Sequence, residues 1–273
     1  MGARIKIGIA QLNSNDDFQR NFSQIKKIIL EAQHEKPAAI FFPENSLFMR
    51  VDSDSGIKAI SLQDEMMLEL KEICTQTQIS IHLTTPILED GKFFNASVWI
   101  DAKLGASIVY RKMHLFDIEL IGERPIRESD VFTNGEKPTI FNINNFKVGS
   151  SICYDIRFAE LYSTYAKAEV DVILVPAAFL VKTGRAHWEV LLRARAIESQ
   201  CYVVASAQSG LHQSSSGGFE RETFGHSMII NPWGEVMAFK ANGVGVFFAE
   251  LSQELLLNVR KQIPMKNHRR IDF

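Results

Sequence analysis

The stretch Lys147-Val-Gly-Ser-Ser-Ile-Cys-Tyr-Asp-Ile-Arg-Phe158 organises the reading of this chain. Residues 147–152 have the character of a strand, residues 158–168 that of a helix, and Cys153 stands at the turn between them. A thiol at a strand end, just ahead of a helix N-terminus, is where backbone N–H groups and the helix dipole can stabilise a thiolate. The competing reading is a buried cysteine that serves only as a small apolar filler. Partners elsewhere in the chain decide between the two.

Outward from this stretch, residues 139–143 form a second strand that pairs with the first. Residues 171–175 are a continuous apolar strand ending at Pro176, residues 186–199 a helix, and residues 201–207 another strand. A hairpin over 226–230 and 235–239 turns at Asn231-Pro-Trp-Gly234. A strand at 244–251 and a helix from Gln253 to about Gln262 complete the chain. Residues 209–222, with a Ser-Ser-Ser-Gly-Gly run, are predicted to be a mobile surface loop.

Toward the N-terminus, Ile5, Ile7 and Ile9 alternate in a strand over 4–12. Phe18, Phe22, Ile25, Ile29 and Ala32 recur at helical spacing behind Asn15 or Asp16 as cap. Strands are expected at 38–42 and 79–83, a helix at 63–77, and a hairpin over 95–101 and 106–111. Residues 113–137 are long, polar and irregular, a kind of loop that is often functional. With no repeat and no linker, residues 1–273 are predicted to be one domain. Its core covers about 4–251, with a C-terminal helix and tail over 252–273. Early β-α-β units mixed with hairpins imply an α/β fold with two mixed sheets face to face, covered by helices.

Composition narrows the function. Among 273 residues, 46% are hydrophobic and 23% charged, and the formal net charge of −2 leaves no electrostatic footprint for nucleic acid. No apolar run is long enough for a membrane span, and the opening residues enter a strand pattern at once, so no signal peptide is expected. Three dispersed cysteines argue against a disulfide framework and suit a reducing, cytoplasmic compartment. Cys74 and Cys201 are expected to be core fillers. No His/Cys spacing suits a metal and no phosphate-binding glycine loop is present, so no metal or nucleotide cofactor is expected.

Three groups remain. Glu44 ends one predicted strand, Lys112 ends another, and Cys153 ends a third, and in layered α/β folds sites assemble beyond the carboxyl ends of strands. Alone, Glu44 or Lys112 reads as ordinary surface charge. Together they are chemically coherent. A thiolate attacks an acyl carbon, Glu44 takes the thiol proton, and Lys112 with the Tyr154 backbone N–H faces the developing oxyanion. A Cys-His pair with His114 or His187 as base stays open on composition.

These residues resemble the carbon–nitrogen hydrolases of the nitrilase superfamily. The resemblance rests on Phe-Pro-Glu at 42–44, Tyr-Arg-Lys-Met-His-Leu-Phe-Asp at 110–117 and Cys-Tyr-Asp-Ile-Arg-Phe-Ala-Glu-Leu at 153–161. It implies Glu44 as general base, Lys112 as oxyanion stabiliser and proton donor, and Cys153 as nucleophile. It also implies that Glu128, in Arg-Glu-Ser of the long loop, orients Lys112 and the substrate amide. It further implies an α-β-β-α sandwich that pairs into homodimers, a thioester acyl-enzyme from which ammonia has left, and no cofactor.

Within that superfamily the chain looks most like the Nit amidase branch, through Pro176-Ala-Ala-Phe179, Thr183-Gly184, Ala186-His-Trp-Glu189, residues 192–197, Gln208-Ser-Gly-Leu-His212 and residues 225–235. That likeness implies deaminated glutathione as substrate, with ω-amidase action on α-keto acid amides such as α-ketoglutaramate as the alternative. Phe179 and Thr183 are then expected at the substrate, although Phe179 and Trp188 equally read as core aromatics. A catalytically idle homodimeric scaffold is the reading of another class.

Overall fold

The computed structural model describes residues 2–52, 55–119 and 125–271. In chain order, β1 (Arg4–Gln11), α1 (Phe18–Ala32), β2 (Ala39–Phe41), α2 (Glu65–Thr77), β3 (Ser80–Glu89), β4 (Lys92–Asp101) and β5 (Gly105–Arg111) build the first half. The short pair β6 (Asp117–Ile118) and β7 (Ile126–Arg127) lies within the predicted long loop, whose residues 120–124 fall outside the described residues. Then come β8 (Ile140–Ile143), β9 (Phe146–Ser150), α3 (Ala159–Lys167), β10 (Val172–Leu174), α4 (Val181–Ser199) and β11 (Tyr202–Ala205). The chain closes with β12 (Ser209–Gln213), β13 (Glu220–Phe224), β14 (Ser227–Ile230), β15 (Val236–Lys240), β16 (Gly245–Ser252), α5 (Gln253–Gln262) and α6 (Met265–His268).

Two six-stranded sheets result, in the orders β16-β1-β2-β3-β4-β5 and β15-β14-β11-β10-β9-β8. Each has a parallel centre, β1-β2-β3 and β9-β10-β11, flanked by antiparallel strands. Ile7, Ile9, Phe41 and Tyr110 of the first sheet share one buried cluster with Val148, Val172 and Leu174 of the second, and with Tyr162 and Trp188 of α3 and α4. A separate cluster packs Phe22, Ile25 and Leu70 of α1 and α2 onto Ile40, Ile81 and Leu83. Helices therefore cover both outer faces, giving the expected α-β-β-α layering.

Several boundaries differ from expectation for identifiable reasons. The cap of α1 is Asp17, whose carboxylate accepts from the Gln19 and Arg20 N–H groups, not Asn15 or Asp16. A cap is worth about 1 kcal/mol, whereas each of Phe22, Ile25, Ile28 and Ile29 contributes about 1.5–3 kcal/mol on burial. Spacing, not the cap, decides that helix.

Strand β3 runs on past Leu83, through Pro86. Pro86 tolerates its missing N–H because that side of the strand lies beyond the last β2 partner, His82. The predicted mobile loop 209–222 is instead the β12–β13 hairpin, with only residues 214–219 as its turn. Helix α4 starts a turn earlier than its apolar periodicity begins. Gly184 sits in that first turn, where a Cβ would come within 2.4 Å of the Phe224 ring, so glycine lets the hairpin lie against the helix.

Candidate active site

Glu44 follows β2 by three residues, in a turn held where the Ser46 hydroxyl donates to the Pro43 carbonyl at 2.6 Å. Lys112 directly follows β5, and its N–H donates to the Asn95 carbonyl of β4 at 2.9 Å. Cys153 lies past β9, its N–H donating to the Pro176 carbonyl beyond β10 at 2.9 Å. Its φ of 47° places a non-glycine residue in the left-handed region, a strain that folds retain chiefly where it orients a functional group. The three predicted strand-end groups thus converge.

Their side chains interlock out of water. Lys112 Nζ lies 2.9 Å from Glu44 Oε1 and 2.8 Å from Glu128 Oε2. Asn95 Nδ2 donates to Glu44 Oε1 at 2.8 Å and to Glu128 Oε1 at 2.9 Å. The Ala178 N–H donates to Glu44 Oε2 at 2.9 Å, and the Phe116 N–H to Glu128 Oε2 at 2.7 Å. Glu44 is 3% exposed and Lys112 2%, so removing either partner strands a charge in the interior, at about 3–5 kcal/mol.

Burial alone would raise the Glu44 carboxyl. The Lys112 charge, with hydrogen bonds from Lys112, the Cys153 thiol and Asn95, outweighs it and holds Glu44 below the usual carboxylate range. Lys112 is pushed well above the ordinary lysine value, because Glu128 and Glu44 overcome the burial that opposes its charge. Burial, then the Glu44 anion, push the Cys153 thiol well above its ordinary value against the pull of Lys112. The resting trio is a carboxylate, an ammonium and a neutral thiol.

This corrects the expectation of a helix-stabilised thiolate. Cys153 opens a 3-10 turn, Cys153–Arg157, and α3 begins only at Ala159. Glu44, hydrogen-bonded to the thiol, is the group placed to take its proton.

The trio opens into a cleft of about 770 Å³ that Glu128, Tyr154, Phe179 and Thr183 also line. Tyr154 is the second residue of the 3-10 turn, where backbone N–H groups find no partner within the turn. The Phe179 ring borders the cleft and lies 4.7 Å from the Trp188 ring. The Thr183 hydroxyl donates to the Leu180 carbonyl at 3.3 Å while facing the same cleft. Neither His114 nor His187 lines it. His114 stacks on Phe158 and bonds Asp155, and exposed His187 accepts from Arg157 at 3.1 Å.

Sequence reasoning missed four contributors. Asn95 reads as an ordinary strand residue. Asp155, fully buried, accepts from the Ile152 N–H, the Tyr110 hydroxyl and the His114 N–H, fixing the turn that carries Cys153. Arg157, within the 147–158 stretch, lines the cleft with its guanidinium 5.8 Å from the Tyr154 ring and 5.4 Å from the Phe179 ring. Arg221 comes from the hairpin whose composition reads as a loop. Among the described residues, no group of His, Cys, Asp and Glu is disposed to hold a metal ion, and no helix is long and apolar enough to cross a membrane. Cys74 and Cys201 are buried, with Cys74 pushed by burial to about 12.

The carbon-nitrogen hydrolase family matches residues 6–261. A probable hydrolase, nit2, of Schizosaccharomyces pombe is 38% identical, over 94% of this chain and 95% of its own length. The deaminated glutathione amidase of Mus musculus is 34% identical, over 98% of this chain and 84% of its own. Among solved structures, the Caenorhabditis elegans NitFhit protein superposes with a TM-score of 0.86 at 32% identity, over 99% of this chain and 66% of that one.

Proposed function

This chain belongs to the carbon-nitrogen hydrolase family, and from that premise we propose an amidase that hydrolyses a small linear amide with an α-keto acid head. Deaminated glutathione is the first candidate, and α-keto acid amides such as α-ketoglutaramate are the second. The observation that carries the reading is the buried convergence of Glu44, Lys112 and Cys153 on one cleft. The name of the Mus musculus relative supports the first substrate.

In this mechanism Glu44 takes the Cys153 proton as sulfur attacks the amide carbon. The oxyanion faces Lys112 and the Tyr154 N–H. The C–N bond breaks as the leaving nitrogen takes a proton from Lys112, which recovers it from Glu44 across their 2.9 Å contact. Glu44 then deprotonates a water that attacks the thioester, and the departing sulfur takes that proton back. Glu128 orients Lys112, and Arg157, with no carboxylate among its described partners, offers a cation to the acid head. No step calls for a cofactor.

We place the activity in a single domain spanning residues 1–273, in the cytoplasm, as a homodimer or larger homo-oligomer. Exposed Val190 and Ile197 of α4, the latter packed against Gly234, supply an apolar face for a second copy. The test incubates purified protein with each substrate. The shared α-keto acid product is assayed, together with ammonia from α-ketoglutaramate and the aminothiol dipeptide from deaminated glutathione. Release from at least one is expected, and silence on both and on a broad amide panel overturns the reading.

A further inference from the structure

The catalytic cleft continues outward. Beyond it lies a second cleft of about 1390 Å³, and the two share Arg50, Ile126, Val131, Leu180 and Arg221 as common wall. Arg157, Phe179 and Thr183 belong to the inner cleft alone, while Arg127 and Asp130 belong to the outer one. The boundary between them therefore carries two guanidinium groups.

Arg221 is held in place from several sides. Its backbone pairs with His212 across the hairpin, and His212 is clamped between the Ser14 carbonyl at 2.6 Å and the Thr223 hydroxyl at 2.7 Å. Asn13 Nδ2 donates to the Ser209 and Leu211 carbonyls, and Thr223 bridges to Leu180 ahead of α4. On this braced strand Arg221 Nε is buried with no hydrogen-bond partner among the described residues. A donor that has lost water without gaining an acceptor is expensive, and an acceptor arriving with a ligand removes the cost. Among the described residues, neither Arg50 nor Arg221 makes an ion pair with a carboxylate. The neighbouring Glu220 is engaged by Gln213 across the hairpin at 2.9 Å.

An amide has two halves flanking the carbon that Cys153 attacks. With the acid head of the acyl half held at Arg157, in the inner cleft alone, the amine half extends toward the shared wall. We infer that Arg50 and Arg221 form the subsite that sorts the two candidate substrates, by holding the terminal carboxylate that the dipeptide half of deaminated glutathione carries and a primary amide lacks. The inference rests on the amidase reading above and deepens it. A planar guanidinium suits a carboxylate by paired N–H contacts. A primary amide, which releases only ammonia, never reaches this subsite.

The test uses three substrates that share one α-keto acyl half. One is the primary amide, one an amide of a dipeptide with a free carboxylate, and one the same dipeptide amide capped as a carboxamide. Wild type, Arg221→Met, Arg221→Lys and Arg50→Met are compared by kcat/KM. Wild type is expected to favour the free carboxylate over the cap, and that ratio to fall roughly tenfold in either Met variant, mainly through KM. Arg221→Lys is expected to restore part of it. Circular dichroism and urea unfolding report whether each variant is folded. A ratio unchanged by both Met variants overturns the subsite alone. Wild-type silence on all three substrates overturns the amidase reading, and the subsite with it.

Discussion

The Tyr110 hydroxyl donates a 2.8 Å hydrogen bond to Oδ2 of Asp155, tying the last residues of β5 in one sheet to the turn that begins at Cys153 in the other. Both residues are buried, and the same carboxylate also holds the Ile152 and His114 N–H groups. Cys153 and the Lys112 ammonium therefore sit on separate sheets whose registration one buried carboxylate maintains.

Tyr110→Phe removes one of these donors and leaves Asp155 short of a partner. A stability loss of about 1–3 kcal/mol is expected in urea unfolding. With it comes a fall in kcat larger than the change in KM, since the turn loses its reference to β5. Unchanged stability would show that the contact holds nothing.

Glu44→Gln has opposite effects on charge and on rate. The Glu44 anion is a leading cause, after burial, of the raised Cys153 thiol, and Lys112 pulls the other way. Neutralising Glu44 should move the thiolate titration to lower pH while turnover falls on the order of 10²–10⁴-fold. Absorbance titration of the thiolate reads this without interference from Cys74, whose thiol burial pushes to about 12. An upward move would refute the assignment of Glu44 as the charge beside sulfur.

His82 is predicted to govern part of the acid sensitivity. It is fully buried, neither ring nitrogen has a hydrogen-bond partner among the described residues, and burial pushes its pKa down to about 3. Below the ordinary value of 6.5 the unfolded chain binds a proton that the folded chain refuses. Stability then falls with pH by about 1.4 kcal/mol per unit from this group, until pH nears the folded value. His82→Leu removes the effect and should be neutral or stabilising at pH near 7. Urea unfolding across the acid range checks this, and parallel curves for variant and wild type would contradict it.

The parts of the site legible in the sequence are those whose signals are local. Glu44, Lys112 and Cys153 each end a run of strand residues, so strand periodicity alone placed them at one edge. Glu128 lies in a segment without periodicity and was legible only through resemblance. Asn95 bridges two carboxylates from within β4, a role set by tertiary contact that no spacing encodes. Asp155 and Arg157 sit in the 147–158 stretch itself, in the turn expected between its strand and its helix, but their roles come from tertiary contacts of that 3-10 turn that no spacing encodes. Arg221 was hidden because a Ser/Gly turn dominates the composition of a hairpin whose strands are only five residues each.

Whether Cys153 is the nucleophile is read from the turnover of Cys153→Ala on the better of the two amides. Alanine keeps the backbone, and Glu44, Lys112 and Glu128 remain to bind and polarise the amide. A nucleophilic Cys153 gives a loss of at least about 10⁴-fold in kcat with the fold intact. Activity within tenfold of wild type would contradict it.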